Sequence, residues 1–123
     1  MTSSGEPAAD RPALRRFKDP GYVPAAATLR ELRGQIDQLD RDIVRLLAQR
    51  ARCVKDATRF KLDAHQASAP ARQAEVFEKV RMLAQAQGDA FPGLPDVVEA
   101  TYRSMVAAFI AAEQQLLDQT EMI

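Results

Sequence analysis

Between Leu29 and Ala57 apolar residues return every three or four positions, at Leu29, Leu32, Ile36, Leu39, Ile43, Leu46, Cys53 and Ala57, with one break at Arg50. That spacing puts them on one face of an α-helix, where residues three and four apart lie one above the other. No stretch of strand length alternates with a period of two. Thr28 stands where an N-cap is due and Glu31 follows three residues later, the arrangement in which two side chains satisfy orphan amides at a helix start. The spacing predicts a first helix over Thr28 to Ala64. At 1.5 Å per residue its roughly 37 residues would run about 55 Å, far beyond the three or four turns of an average helix. The later helices are shorter and could cover such a seam only end to end. A second copy of the same seam covers it more readily, so an all-α homodimer is the expected architecture.

Four of the seven prolines, Pro7, Pro12, Pro20 and Pro24, precede residue 25, and residues 1–27 read as an irregular arm. The arm lacks the apolar run and cleavage site of a signal peptide, and no segment approaches the roughly 18 apolar residues of a membrane span. Downstream, Ser68-Ala69-Pro70 opens a second helix, which Gly88 ends with a residue tolerant of left-handed backbone. Phe91-Pro92-Gly93 reads as a turn. Pro95 and Asp96 start a third helix with an apolar stripe at Val98, Tyr102, Met105, Phe109, Ala112 and Leu116. The chain thus divides into an arm (1–27), a helical domain (28–118) and a short tail (119–123). Lys and Arg number 17 against 17 Asp and Glu, which argues against a general polyanion binder. One cysteine excludes an intrachain disulfide framework and suits a reducing compartment. A cytoplasmic protein is expected, with neither nucleic acid nor membrane as partner.

Arg50 occupies the seam position where an apolar residue is due, one heptad after Ile43 and one before Ala57. Lys61 follows eleven residues later, which on a continuous helix returns to within about 20° of Arg50. Either both stems snorkel to water from the stripe's edge, or both cations face inward. Arg72 lies on the line of Val76, Val80 and Leu83 but in a first helical turn, where a cation opposes the helix dipole. It is either an ordinary surface arginine or one aimed at an anion. Glu113 lies beside the apolar face of the third helix, and pairing with one of these cations is the simplest account of it. Three inward cations and one inward carboxylate do not balance, and the missing negative charge suits a small dicarboxylate, whose carboxylates match arginine forks. One histidine, His65, reads as a solvated loop residue, and Cys53 as a small core residue. Neither completes a catalytic triad or zinc site, and no glycine-rich phosphate loop is present, so no cofactor or metal is expected. Any catalysis would rest on positioning and electrostatics.

The stretch Leu32-Arg33-Gly34-Gln35-Ile36-Asp37-Gln38-Leu39-Asp40-Arg41-Asp42-Ile43-Val44, then Leu46-Leu47-Ala48-Gln49-Arg50 and Val54-Lys55, resembles the opening helix of the all-helical (type II) chorismate mutase family. Arg59-Phe60-Lys61 with Ala69-Pro70-Ala71-Arg72 is similar to the branch that contains the bacterial isochorismate-pyruvate lyase. The resemblance spans about residues 28–118 and implies an intertwined dimer of three-helix chains. It implies two sites, each with Arg50, Lys61, Arg72 and Glu113 from one chain and Arg33 from its partner. Helix geometry is compatible: Arg33 and Arg50 stand about 25 Å apart along one axis and about 100° around it, too far to grip one small molecule together. By the resemblance, Arg50 and Arg33 would hold the carboxylate of the enolpyruvyl arm and Arg72 would lie near the ring carboxylate. Lys61 would donate to the ether oxygen whose bond breaks.

Two positions depart from the family pattern. Glu113 stands where many members carry a glutamine that donates to the ether oxygen; a carboxylate cannot donate, whereas a carboxylic acid can. A protonated Glu113 is therefore expected, with activity falling as pH rises. A register shift of one residue would bring Gln114 there and turn Glu113 away. Gln73 replaces a glutamate that accepts from the ring hydroxyl, which leaves an uncharged acceptor. Residues 62–71 read either as a lid or as a plain interhelical loop. The expected function is chorismate mutase, with isochorismate-pyruvate lyase and a non-catalytic dimerisation module as alternatives.

Overall fold

A computed structural model of the chain describes residues 5–123. Its helices are α1 (Leu29–Thr58), α2 (Ala64–Ser68), α3 (Pro70–Gln85) and α4 (Leu94–Leu117). The architecture is all-α. Two compact units divide between Ala48 and Gln49, inside α1.

In the first unit Thr28 Oγ1 accepts from the Glu31 amide at 3.2 Å, and the Glu31 carboxylate accepts in return from the Ala27 amide at 3.3 Å. The cap expected at this helix start is present, its return bond reaching one residue further back. The preceding arm is tied to α1. The Arg30 amide donates to the Ala9 carbonyl at 3.0 Å, Arg30 pairs with Asp10, and Gln35 Nε2 donates to the Ala25 carbonyl. The hydrogen bond from Arg30 holds the Asp10 carboxyl below its ordinary value. No described residue of this unit is buried. Ile36, Leu39, Ile43 and Leu46, the apolar seam, are each more than half exposed.

The second unit begins with the end of α1, which stops six residues before the expected Ala64. The Arg59, Phe60 and Lys61 amides donate three residues back, to Asp56, Ala57 and Thr58, tightening the chain out of the helix. The linker that follows is not purely irregular, as the sequence had suggested. Asp63 caps α2 by accepting from the Gln66 amide at 3.0 Å, while Gln66 Oε1 accepts from the Leu62 amide at 2.7 Å. Asp63 and Gln66 are a capping pair of the same kind as Thr28 and Glu31, and the helix they start is only five residues long, too short to show a period. Ala69 then takes a left-handed conformation (φ 43°, ψ 64°) and Pro70 opens α3. Helix α3 ends at Gln85, earlier than expected, and Gly88 adopts its positive φ of 87° in the turn beyond.

From Gly93, α4 runs back along α3. Phe77, Val80 and Ala84 of α3, Val106 of α4 and Ala67 of α2 are buried. Arg81 of α3 donates to Asp96 (2.8 Å) and Glu99 (3.2 Å) of α4, and Arg103 donates to Glu99 at 2.7 Å. The Arg103 guanidinium also sits 4.4 Å from the Phe77 ring centroid. Among the described residues no helix is long and apolar enough to cross a membrane.

Candidate active site

The residues singled out by charge meet at one pocket in the second unit, with a volume of about 330 Å³. Its apolar walls include Val54 and Ala57 of α1, Val76 of α3, and Val106, Phe109 and Ile110 of α4. Its charged lining is Arg50, Lys61, Arg72 and Glu113. Lys61 pairs with Glu113, and Arg72 pairs with Glu75 just outside the lining, which leaves Arg50 as the cation of this wall without a carboxylate partner among the described residues.

Arg50 is half-buried, its Cζ 5.3 Å from the centroid of the Phe109 ring. Stacking on the ring face holds the fork in place while leaving its N–H groups free. Among the described residues no carboxylate pairs with it. Lys61 corrects the sequence reading in one respect: it does not continue the stripe of α1, because the helix has ended three residues earlier. The tight turns beyond Thr58 bring it to the same pocket, where its Nζ lies 3.4 Å from Glu113 Oε1 with the side chain 23% exposed. Glu113 is 4% exposed and points into the pocket, whereas Gln114 is exposed on the other face of α4.

Arg72 is a second correction. It lines the pocket yet its side chain is 61% exposed and pairs with Glu75 one turn along α3. A first-turn cation is unfavourable to the helix dipole, and the neighbouring carboxylate offsets this, so Arg72 stands at the rim rather than inside. Gln73 is half-buried and donates through Nε2 to the Ser68 carbonyl at 2.6 Å, with Ser68 Oγ at 3.4 Å. That commits its amide nitrogen to the protein and leaves Oε1 as a free acceptor. Arg33 lies in the first unit, exposed and without an ion-pair partner among the described residues, and is not part of this lining.

Two readings of lesser residues change. Cys53 is exposed on the pocket wall rather than packed in a core, because its seam position faces open space. His65 is exposed as expected but belongs to α2. Thr58 was not anticipated at all. It is 2% exposed, and its hydroxyl lies 3.2 Å from Glu113 Oε1 and 3.1 Å from the Val54 carbonyl. A polar residue on the buried side of a helix end was the available signal. Among the described residues no three His, Cys, Asp or Glu side chains cluster as metal ligands.

The arrangement offers a fixed guanidinium, an ammonium and a covered carboxyl around a small, mostly apolar space. It can bind an anion and stabilise charge that develops near Lys61. Comparison with known proteins agrees in kind. The sequence model of the family described as "Chorismate mutase type II" matches residues 32–114, about two thirds of the chain. A protein of Aquifex aeolicus (strain VF5) named "Bifunctional chorismate mutase/prephenate dehydratase" is 33% identical over 90 residues. That similarity covers 72% of this chain and 24% of the Aquifex protein, so the chain spans about a quarter of that relative's length.

Proposed function

The chain belongs to the chorismate mutase type II family, and on that premise we propose that it converts chorismate to prephenate. The observation that carries this reading is the Arg50 guanidinium, without a carboxylate partner among the described residues, on the wall of a small pocket beside Lys61 and Glu113, and the reading invokes no nucleophile. The reaction needs none. In a single pericyclic step the ether C–O bond breaks while a new C–C bond joins the enolpyruvyl arm to the ring. The substrate reacts only when the arm folds over the ring, so holding that conformer lowers the barrier, as does countering the negative charge that grows on the ether oxygen. Arg50 binds the carboxylate of the arm, Arg72 at the rim meets the ring carboxylate, and Gln73 Oε1 accepts from the ring hydroxyl. Lys61 releases Glu113 and donates to the ether oxygen. Glu113 donates to the same oxygen as a carboxylic acid, so turnover declines as pH rises.

Arg33 comes from a second copy of the chain, whose matching seam covers Ile36, Leu39, Ile43 and Leu46. The bare seam supports this, since that much exposed apolar surface in one line marks an interface. One observation favours isochorismate as a second substrate: Gln73 presents an uncharged acceptor, which places less demand on where the ring hydroxyl sits. Incubating the purified protein separately with chorismate and isochorismate, and following prephenate and salicylate, tests both. Prephenate from chorismate is expected. Salicylate and pyruvate from isochorismate, with no prephenate from chorismate, would replace the mutase reading by the lyase.

A further inference from the structure

Glu113 has two carboxyl oxygens in different surroundings. Oε1 has Thr58 Oγ1 at 3.2 Å and Lys61 Nζ at 3.4 Å, while no protein donor reaches Oε2 among the described residues. No fully covered side-chain nitrogen or oxygen lacks a partner there, so Oε2 touches open space, and the open space beside Glu113 is the pocket. The charged groups around the carboxyl are Arg50 from α1, Lys61 from the linker and Arg72 from the rim of α3; α2 contributes only Ala67 and Ser68 to the lining.

Thr58 carries a single hydroxyl proton, which it can give either to the Val54 carbonyl or to Glu113 Oε1. One side-chain rotamer brings the hydroxyl within reach of both acceptors, so its proton can turn from Val54 to Oε1 without moving the side chain. Donation to Oε1 keeps that oxygen an acceptor. When Lys61 turns to a bound anion, Thr58 is the protein donor left on Oε1.

We propose that Thr58 is a positioning residue: by donating to Oε1 it confines the acidic proton of Glu113 to Oε2, the oxygen that faces the substrate. This rests on the reading of Glu113 as the acid of a mutase or lyase.

The test compares wild type with Thr58→Val, which keeps the shape, and Thr58→Ser, which keeps the hydroxyl, each checked for folding by circular dichroism. Thr58→Ala stands in if the valine variant does not fold. Steady-state turnover is measured across pH on whichever of chorismate or isochorismate the wild type accepts. Thr58→Val should lower kcat about tenfold with KM little changed, as expected for one charge-assisted hydrogen bond lost from the transition state. Thr58→Ser should restore kcat. In a Glu113→Gln background the profile should be flat, and adding Thr58→Val should lower kcat again, since the amide can then turn over. A folded Thr58→Val enzyme with wild-type kcat overturns the Thr58 proposal and leaves the functional reading standing. A wild-type enzyme that is active with a flat profile overturns the acid role of Glu113, and Thr58's role with it. No turnover of either substrate overturns the functional reading itself.

Discussion

Arg50 is the residue at which catalysis and packing can be told apart. It is half-buried on a helix seam, stacks on Phe109 and has no carboxylate partner among the described residues. Replacing a covered charge by an apolar side chain of similar length is often neutral or stabilising. Arg50→Leu should therefore melt at or above the wild-type temperature. An anion-binding role makes the opposite demand on activity, because removing one partner of a desolvated charge pair is costly. The same variant should lose about two to three orders of magnitude in kcat/KM. Thermal melts beside chorismate kinetics decide between the two. Unchanged kinetics with a raised melting temperature would place Arg50 outside the binding machinery, and a raised melting temperature with no turnover by the wild type would mark a dimerisation module.

At the scale of elements, the junction of α2 and α3 carries the one left-handed non-glycine residue among those described. Ala69 has φ 43°, its Cβ makes that conformation costly, and Pro70 restricts it further. Ala69→Gly removes the steric cost and adds some unfolded-state entropy, for a net gain of up to about 1 kcal/mol. A rise in the urea midpoint with unchanged slope would show it. The α3–α4 pair carries a second prediction. The Arg103 hydrogen bond, opposed by burial and reinforced by Arg81, holds the Glu99 carboxyl below its ordinary 4.5. A depressed carboxyl contributes stability above its unfolded value, and that contribution is lost as pH falls through the folded value. The melting temperature of Glu99→Gln should lie below wild type at pH near neutrality, and the gap should close as the pH is taken below 4.5.

The molecule as a whole is where Arg33 must be tested. If each pocket draws Arg33 from a second chain, homodimers of Arg33→Ala and of Arg50→Ala should both be nearly inactive. Mixing and refolding the two yields heterodimers with one doubly defective site and one intact site. Activity should then return to about a quarter of wild type, since half the dimers are mixed and each offers one good site of two. No recovery would overturn the contribution from a second chain, and an active Arg33→Ala homodimer would place Arg33 outside the site. The bare seam of α1 makes the same demand on assembly, and sedimentation should give twice the chain mass.

The helical class, the capped start of α1 and its apolar face were legible in the sequence. They depend on contacts three or four residues apart, and local geometry alone dictates these. The cations Arg50 and Arg72 were legible too, because each breaks a local rule where it stands, whereas Lys61 was singled out by a helical register that the chain does not keep. Tertiary structure decided the rest. Lys61 reaches the pocket by leaving the helix, Arg72 rests at the rim against Glu75, and Glu113 rather than Gln114 turns inward. The bond between Thr58 and Glu113 joins residues 55 apart, and no periodicity records a partner at that separation. A side chain's spacing reports the face it occupies, but only the packed chain decides which group completes its hydrogen bonds.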